Sequence, residues 1–175
     1  MNAVRYTAPA RLLHWLMAAL LIGLLALGFY MSDLPLSPEK LQLYAWHKWA
    51  GVTAFILLAI RLLWRATHRP PALPASMSAA AQRMAHLGHL ALYGLMIAIP
   101  LSGWLMSSAK GFQTVYFGVL PIPDLLAKNP ELGELLATLH GGLNLLLALT
   151  VLGHAAAALK HHFVDRDDVL RRMLP

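Results

Sequence analysis

Nine histidines share a 175-residue chain with only eight carboxylates and no cysteine. Histidine can ligate a metal, carry a proton near neutral pH or anchor a helix end, and spacing decides among these roles. His140 and His154 are fourteen residues apart. That is two heptads and about 21 Å of helix, so their rings lie on nearly one helical face. His14 and His47 stand in two other parts of the sequence. Two imidazoles meeting from facing helices can hold one metal on opposite sides. Without cysteine there is no disulfide framework, thiol nucleophile, iron–sulfur cluster or covalently attached c-type haem.

Four apolar stretches must position these rings. They start near Leu12, Trp49, Leu87 and Leu135, and each lasts about 18–24 residues, enough for a helix to cross a hydrocarbon core of about 30 Å. The chain is 58% hydrophobic and 13% charged, with a mean hydropathy of +0.58. A soluble domain carries about 25% charged residues, so disorder, a collagen-like fibre and an ordinary soluble globule are all excluded. The stretches are apolar all round, whereas a soluble bundle needs polar outer faces. The expected fold is all-α: an integral membrane four-helix bundle forming one domain over residues 1–175. No internal repeat or low-complexity tract interrupts it. Pro70-Pro71-Ala72-Leu73-Pro74 reads as a stiff connector, and the long loop from Ser108 to about Glu134 is expected to hold a short interfacial helix.

Basic residues in the flanks set the orientation. Arg5, Arg11, Arg65, Arg69, Arg83, Lys160, Arg166, Arg171 and Arg172 fall on one side, and Lys40, Lys110 and Lys128 on the other. Both termini and the second linker are therefore expected in the cytoplasm. The net charge of +6 is then mainly a topology signal and not a nucleic-acid footprint. A cleavable signal peptide ending at Ala26-Leu27-Gly28 is the rival reading of the first stretch. Its apolar region is long for that role, and cleavage would remove His14.

Depth pairs the histidines. His14 and His154 share the inner half of the bundle, and His47 and His140 the outer half. Two such pairs about 20 Å apart suit two stacked b-type haems, each iron ligated on both faces. Gly51, Gly141, Gly142, Gly153 and Ala155 to Ala158 offer low walls for a macrocycle. Arg61, within an apolar run, suits a haem propionate, with snorkelling to the cytoplasmic face as the alternative. Zinc needs three or four convergent ligands, and the outer half supplies only two histidines. The inner half also holds His86, His89, His161 and His162, and His89 rivals His14 as the inner ligand. Trp15, Tyr30, Tyr44, Trp46, Trp49, Trp64 and Trp104 read as an aromatic belt.

The motifs Tyr6-Thr7, Leu13-His14-Trp15, Trp46-His47-Lys48-Trp49-Ala50-Gly51, Ala85-His86-Leu87-Gly88-His89, Leu139-His140 and Gly153-His154-Ala155-Ala156-Ala157-Ala158-Leu159-Lys160-His161 together resemble the bacterial cytochrome b561 family. The ending Asp167-Asp168-Val169-Leu170-Arg171-Arg172-Met173-Leu174-Pro175 fits as well. The resemblance covers essentially the whole chain. It implies an inner-membrane dihaem cytochrome b exchanging electrons with the quinone pool, with His14, His47, His140 and His154 as axial ligands. One branch of that family is similar to a superoxide:ubiquinone oxidoreductase, and relatives serve as cytochrome b subunits of hydrogenases and formate dehydrogenases.

The expected function is a membrane electron carrier with quinone chemistry at the inner haem, and superoxide is the most specific donor, with ubiquinone as acceptor. Lys48, beside His47, is a candidate to attract the superoxide anion, with Lys110 as a helper and Lys128 read as plain solvation. His89 and His161 are candidates for a quinone site beside the inner pair, with His86 close by. Their alternative is as polar markers of the membrane boundary. The second functional reading is a haem-bearing anchor that receives electrons from a protein partner. A third is a transporter or structural bundle without cofactor.

Overall fold

The computed structural model describes residues 5–74 and 76–174. Met1–Val4, Ala75 and Pro175 lie outside the described residues, including the ends of the expected domain and the last residue of the C-terminal motif. The described residues form four helices: α1 (Ala8–Asp33), α2 (Pro38–Thr67), α3 (Ala79–Ala109) and α4 (Pro130–Phe163). All four are long and apolar enough to cross a membrane by length and composition. Each is longer than its apolar stretch because its start lies in polar sequence. Ser37 accepts a hydrogen bond from the Lys40 N–H before Pro38, Ser78 from the Ala81 N–H, and Asn129 from the Leu132 N–H before Pro130. These caps satisfy N–H groups that would otherwise be orphaned, so the helices begin several residues before the apolar band. His47 consequently lies well inside α2 and not at its start.

α1 packs on α2 and α3 on α4, with a smaller α2–α3 contact between the two layers. The histidine pairs bridge the layers: His14 faces His154 from α1 to α4, and His47 faces His140 from α2 to α4. Leu147, one heptad from both α4 histidines, is fully buried, as is Leu58 of α2. Large apolar side chains such as Leu12, Ile22, Phe29, Ile56, Ile60, Leu63, Leu145 and Leu152 are exposed. That is the surface of a bundle solvated by lipid.

The loop between α3 and α4 contains no helix among the described residues. It forms instead a small antiparallel hairpin, β1 (Val115–Tyr116) with β2 (Leu120–Pro121). Phe117 and Gly118 both have positive φ, at 50° and 72°, and the Val119 N–H donates to the Tyr116 carbonyl at 3.1 Å. Paired left-handed residues make the mirror-image turn that matches strand twist. The same sequence spacing without that turn would look like an interfacial segment.

Indole N–H groups fasten loops and termini to helix ends. Trp49 donates to the Val115 carbonyl and Trp104 to the Pro123 carbonyl at one end. At the other, Trp15 donates to the Met173 carbonyl and Trp64 to the Thr7 hydroxyl. Four of the belt tryptophans thus also act as structural ties. The C-terminal segment folds back beneath α1 through Arg11 to the Leu174 carbonyl and the Tyr6 N–H to the Arg172 carbonyl. Arg172 also reaches the Ala72 carbonyl in the second linker. Tyr6, the C-terminal residues Arg172 to Leu174 and that linker therefore meet at one end of the bundle.

Candidate functional site

Two histidine pairs define the site. The ring centroids of His14 and His154 are 6.2 Å apart, and those of His47 and His140 are 6.4 Å apart. A metal–imidazole bond is about 2.0–2.1 Å, and a ring nitrogen lies roughly 1.1 Å from its ring centre, so two imidazoles on opposite sides of one metal have centroids about 6.2–6.4 Å apart. Both pairs have that separation. His89 approaches His154 to 5.5 Å, closer than such an arrangement requires, and its side chain is exposed.

Hydrogen bonding differs among the four rings. His140 Nδ1 lies 2.9 Å from the Ser102 hydroxyl and 3.2 Å from the Ile99 carbonyl. Nδ1 of His14 and of His47 is buried with no hydrogen-bond partner. A buried unpaired nitrogen costs about 1–3 kcal/mol, which a metal bond to the same ring can offset. A donor set of imidazoles from facing helices fits a b-type haem.

Two glycines press against the outer pair. A Cβ on Gly103 would stand 3.1 Å from His140 Cε1, and one on Gly28 would stand 3.4 Å from His47 Cε1. Sequence reasoning selected other glycines. A Cβ at Gly51, Gly141, Gly142 or Gly153 would meet nothing within 4 Å, and the last three residues are exposed, as are Ala155, Ala156 and Ala157. Ser102 and Gly103 were missed, although an adjacent Ser-Gly within an apolar run is a usable signal.

Arg61 donates from Nε to the Tyr93 hydroxyl at 3.1 Å, and its guanidinium lies over the Tyr93 ring. Lys48 donates to the Phe112 carbonyl at 2.7 Å, so its ammonium is tied to the hairpin loop beside His47. Lys110 is paired with Glu134 at 2.9 Å, which neutralises the help expected from it. Lys128 packs its aliphatic stem against Gly111.

His161 does not lie free along the α4 stripe. Its Nδ1 is 2.6 Å from Asp167 and 3.2 Å from Asp165. Lys160 also binds Asp165, and this hydrogen bond holds the Asp165 carboxyl below the usual carboxylate range, with the charges of Lys160 and His161 adding to it. Among the described residues, His161, Asp165 and Asp167 are the one group of three or more potential ligands within 4.8 Å of one another. His161 is the inner histidine in that group, and its two partners are carboxylates that follow the end of α4. His86 donates to the Gln82 carbonyl at 2.7 Å and points along its own helix.

Comparison with known proteins gives a consistent picture. The family model described as prokaryotic cytochrome b561 matches residues 5–175. Cytochrome b561 homolog 2 of Escherichia coli is 37% identical over 177 residues, covering 97% of this chain and 91% of that protein. A probable superoxide oxidase CybB of Yersinia pestis is 33% identical over 133 residues, covering 74% of this chain and 73% of its own.

Proposed function

The chain belongs to the prokaryotic cytochrome b561 family, and from that premise we propose that this bacterial membrane protein carries electrons from superoxide to ubiquinone through two b haems. The family implies membrane electron transfer by b-type haem. The observation that carries the finer reading is the pair of imidazole separations, 6.2 and 6.4 Å, at two levels of α4. His14 and His154 hold the inner haem in this reading, and His47 and His140 the outer one. A b haem held by these imidazoles would supply one-electron transfer.

The residues of the chain supply the rest. Ser102 and the Ile99 carbonyl orient His140. Arg61, near both inner rings, offers its guanidinium nitrogens to a propionate. Lys48 presents a cation beside His47 where an anionic donor arrives. Two superoxide anions give up one electron each and leave as dioxygen, and one quinone takes both electrons and two protons to become quinol. His89, exposed beside His154, and His161, bound to Asp165 and Asp167, are placed to pass those protons. The Lys and Arg distribution supports cytoplasmic placement of both termini, with the outer pair toward the opposite face.

Two measurements on the purified protein test this reading. A pyridine haemochrome assay should give two b haems per chain, and one or none overturns the ligand assignment. Superoxide should reduce those haems rapidly, with quinone reoxidising them. A cytochrome inert to superoxide but reduced by a copurifying protein would establish the anchor-subunit reading instead.

A further inference from the structure

Four arginines gather at the end of the bundle where Tyr6 meets Arg172. Arg5, Arg61, Arg65 and Arg69 line one cavity of about 260 Å³. Among the described residues none of the four forms a salt bridge, and no aspartate or glutamate lines the cavity. Like charges collected around one concavity repel each other and raise the local concentration of anions. Two hydroxyls in the lining can donate as well. Tyr93 accepts from Arg61 and Thr7 accepts from Trp64, which leaves each hydroxyl hydrogen free to donate. Leu13, Trp64 and Met173 give the same cavity an apolar wall.

A multiply cationic recess without a carboxylate, with an apolar wall at a membrane-surface level, has the chemistry of a site for a phosphate-bearing amphiphile. Guanidinium forks match phosphate oxygens bidentately, and basic pockets at helix ends hold anionic lipid headgroups. We propose that Arg5, Arg65 and Arg69 bind the phosphate of one anionic phospholipid in this cavity, with Arg61 at its inner end left to the haem side. The α2 end, the start of α1 and the C-terminal segment all contribute to the lining. An occupied cavity therefore ties together the three elements that close this end of the bundle.

The test uses the full-length holoprotein in a neutral detergent, titrated separately with short-chain phosphatidylglycerol, short-chain phosphatidylcholine and inorganic phosphate. Native mass spectrometry counts bound molecules, and the visible spectrum reports haem. We expect one saturable phosphatidylglycerol, with phosphatidylcholine at least tenfold weaker. The double variant R65Q/R69Q should weaken phosphatidylglycerol at least tenfold while keeping the wild-type haem content. R83Q/R171Q, which removes the same charge outside the cavity, should leave binding unchanged. If inorganic phosphate binds as tightly as the lipid and competes with it, the phosphate site stands and the lipid source falls. Wild-type lipid binding by R65Q/R69Q overturns the proposal, as does equal weakening by R83Q/R171Q. Loss of haem from R65Q/R69Q also overturns it, by assigning these arginines to haem carboxylates.

Discussion

Ser102 of α3 fixes which nitrogen of His140 carries the proton. The Ser102 hydroxyl donates to the Ile99 carbonyl at 2.8 Å, so its oxygen is left to accept from His140 Nδ1 at 2.9 Å. The Ile99 carbonyl, 3.2 Å from the same nitrogen, can only accept. Nδ1 therefore bears the hydrogen, and Nε2 keeps its lone pair for a metal. Such supporting hydrogen bonds set tautomer and ring orientation, and losing one weakens metal affinity by about 10–100-fold. Because the Ile99 carbonyl remains, Ser102→Ala should fall near the lower end, with outer-haem loss to an apo-globin acceptor about tenfold faster and the inner haem untouched. Equal loss rates for variant and parent would assign orientation of His140 to the Ile99 carbonyl alone.

Gly103 backs the same ring. At 3.1 Å from His140 Cε1, a methyl group is too close to sit beside the ring unmoved, while at Gly28 the corresponding 3.4 Å to His47 is ordinary contact. Overpacking of this kind costs about 1–3 kcal/mol when the neighbour cannot shift. Gly103→Ala should therefore lower outer-haem occupancy or alter its spectrum, and Gly28→Ala should do so much less. Haem content and low-temperature absorbance of the two variants decide the order, and equal effects would contradict the geometry.

Lys48 is the cation best placed to act on an anionic donor at the outer pair, since Lys110 is already paired with Glu134. Attraction between exposed charges is screened over about 8–10 Å at 0.1–0.15 M salt. The superoxide reduction rate should fall as salt rises, and Lys48→Gln should lower it severalfold at low salt and flatten the salt dependence. Lys110→Gln should change it little. Stopped-flow reduction at several ionic strengths measures both effects. A salt-independent parent rate would remove electrostatic steering from the mechanism.

The four helices were legible because hydropathy over a membrane length is a long-range, additive signal, and the fourteen-residue step from His140 to His154 needed only helical periodicity. What escaped was local and cross-chain. The hairpin at Phe117-Gly118 depends on two left-handed residues, one of them an unexpected phenylalanine. Gly103 and Ser102 matter because α3 passes directly behind a ring on α4, and no spacing within either helix carries that fact. The partnership of His161 with Asp167 arises because the chain turns back after α4. In a linear reading those carboxylates belonged to a separate tail.

The same turn bears on the proposed quinone site. Reducing a quinone needs two protons as well as two electrons, and a proton relay needs a group that can both accept and release hydrogen. His161 Nδ1 is held 2.6 Å from the Asp167 carboxylate, which orients the ring and leaves Nε2 to meet a ligand. His89 stands beside His154 at 5.5 Å and is exposed, which gives it access to a ligand at the bundle surface. Changing both to alanine should leave two haems in place, because neither belongs to a pair with the ligand separation. Quinone-dependent reoxidation should slow at least tenfold, about 1.4 kcal/mol in the barrier, with superoxide reduction preserved. Asp167→Asn should give a smaller slowing, through His161 alone, because the ring loses the carboxylate that holds it at 2.6 Å. Unchanged reoxidation in the double variant would take the quinone role from both residues, and loss of the inner haem would make His89 the ligand in place of His14.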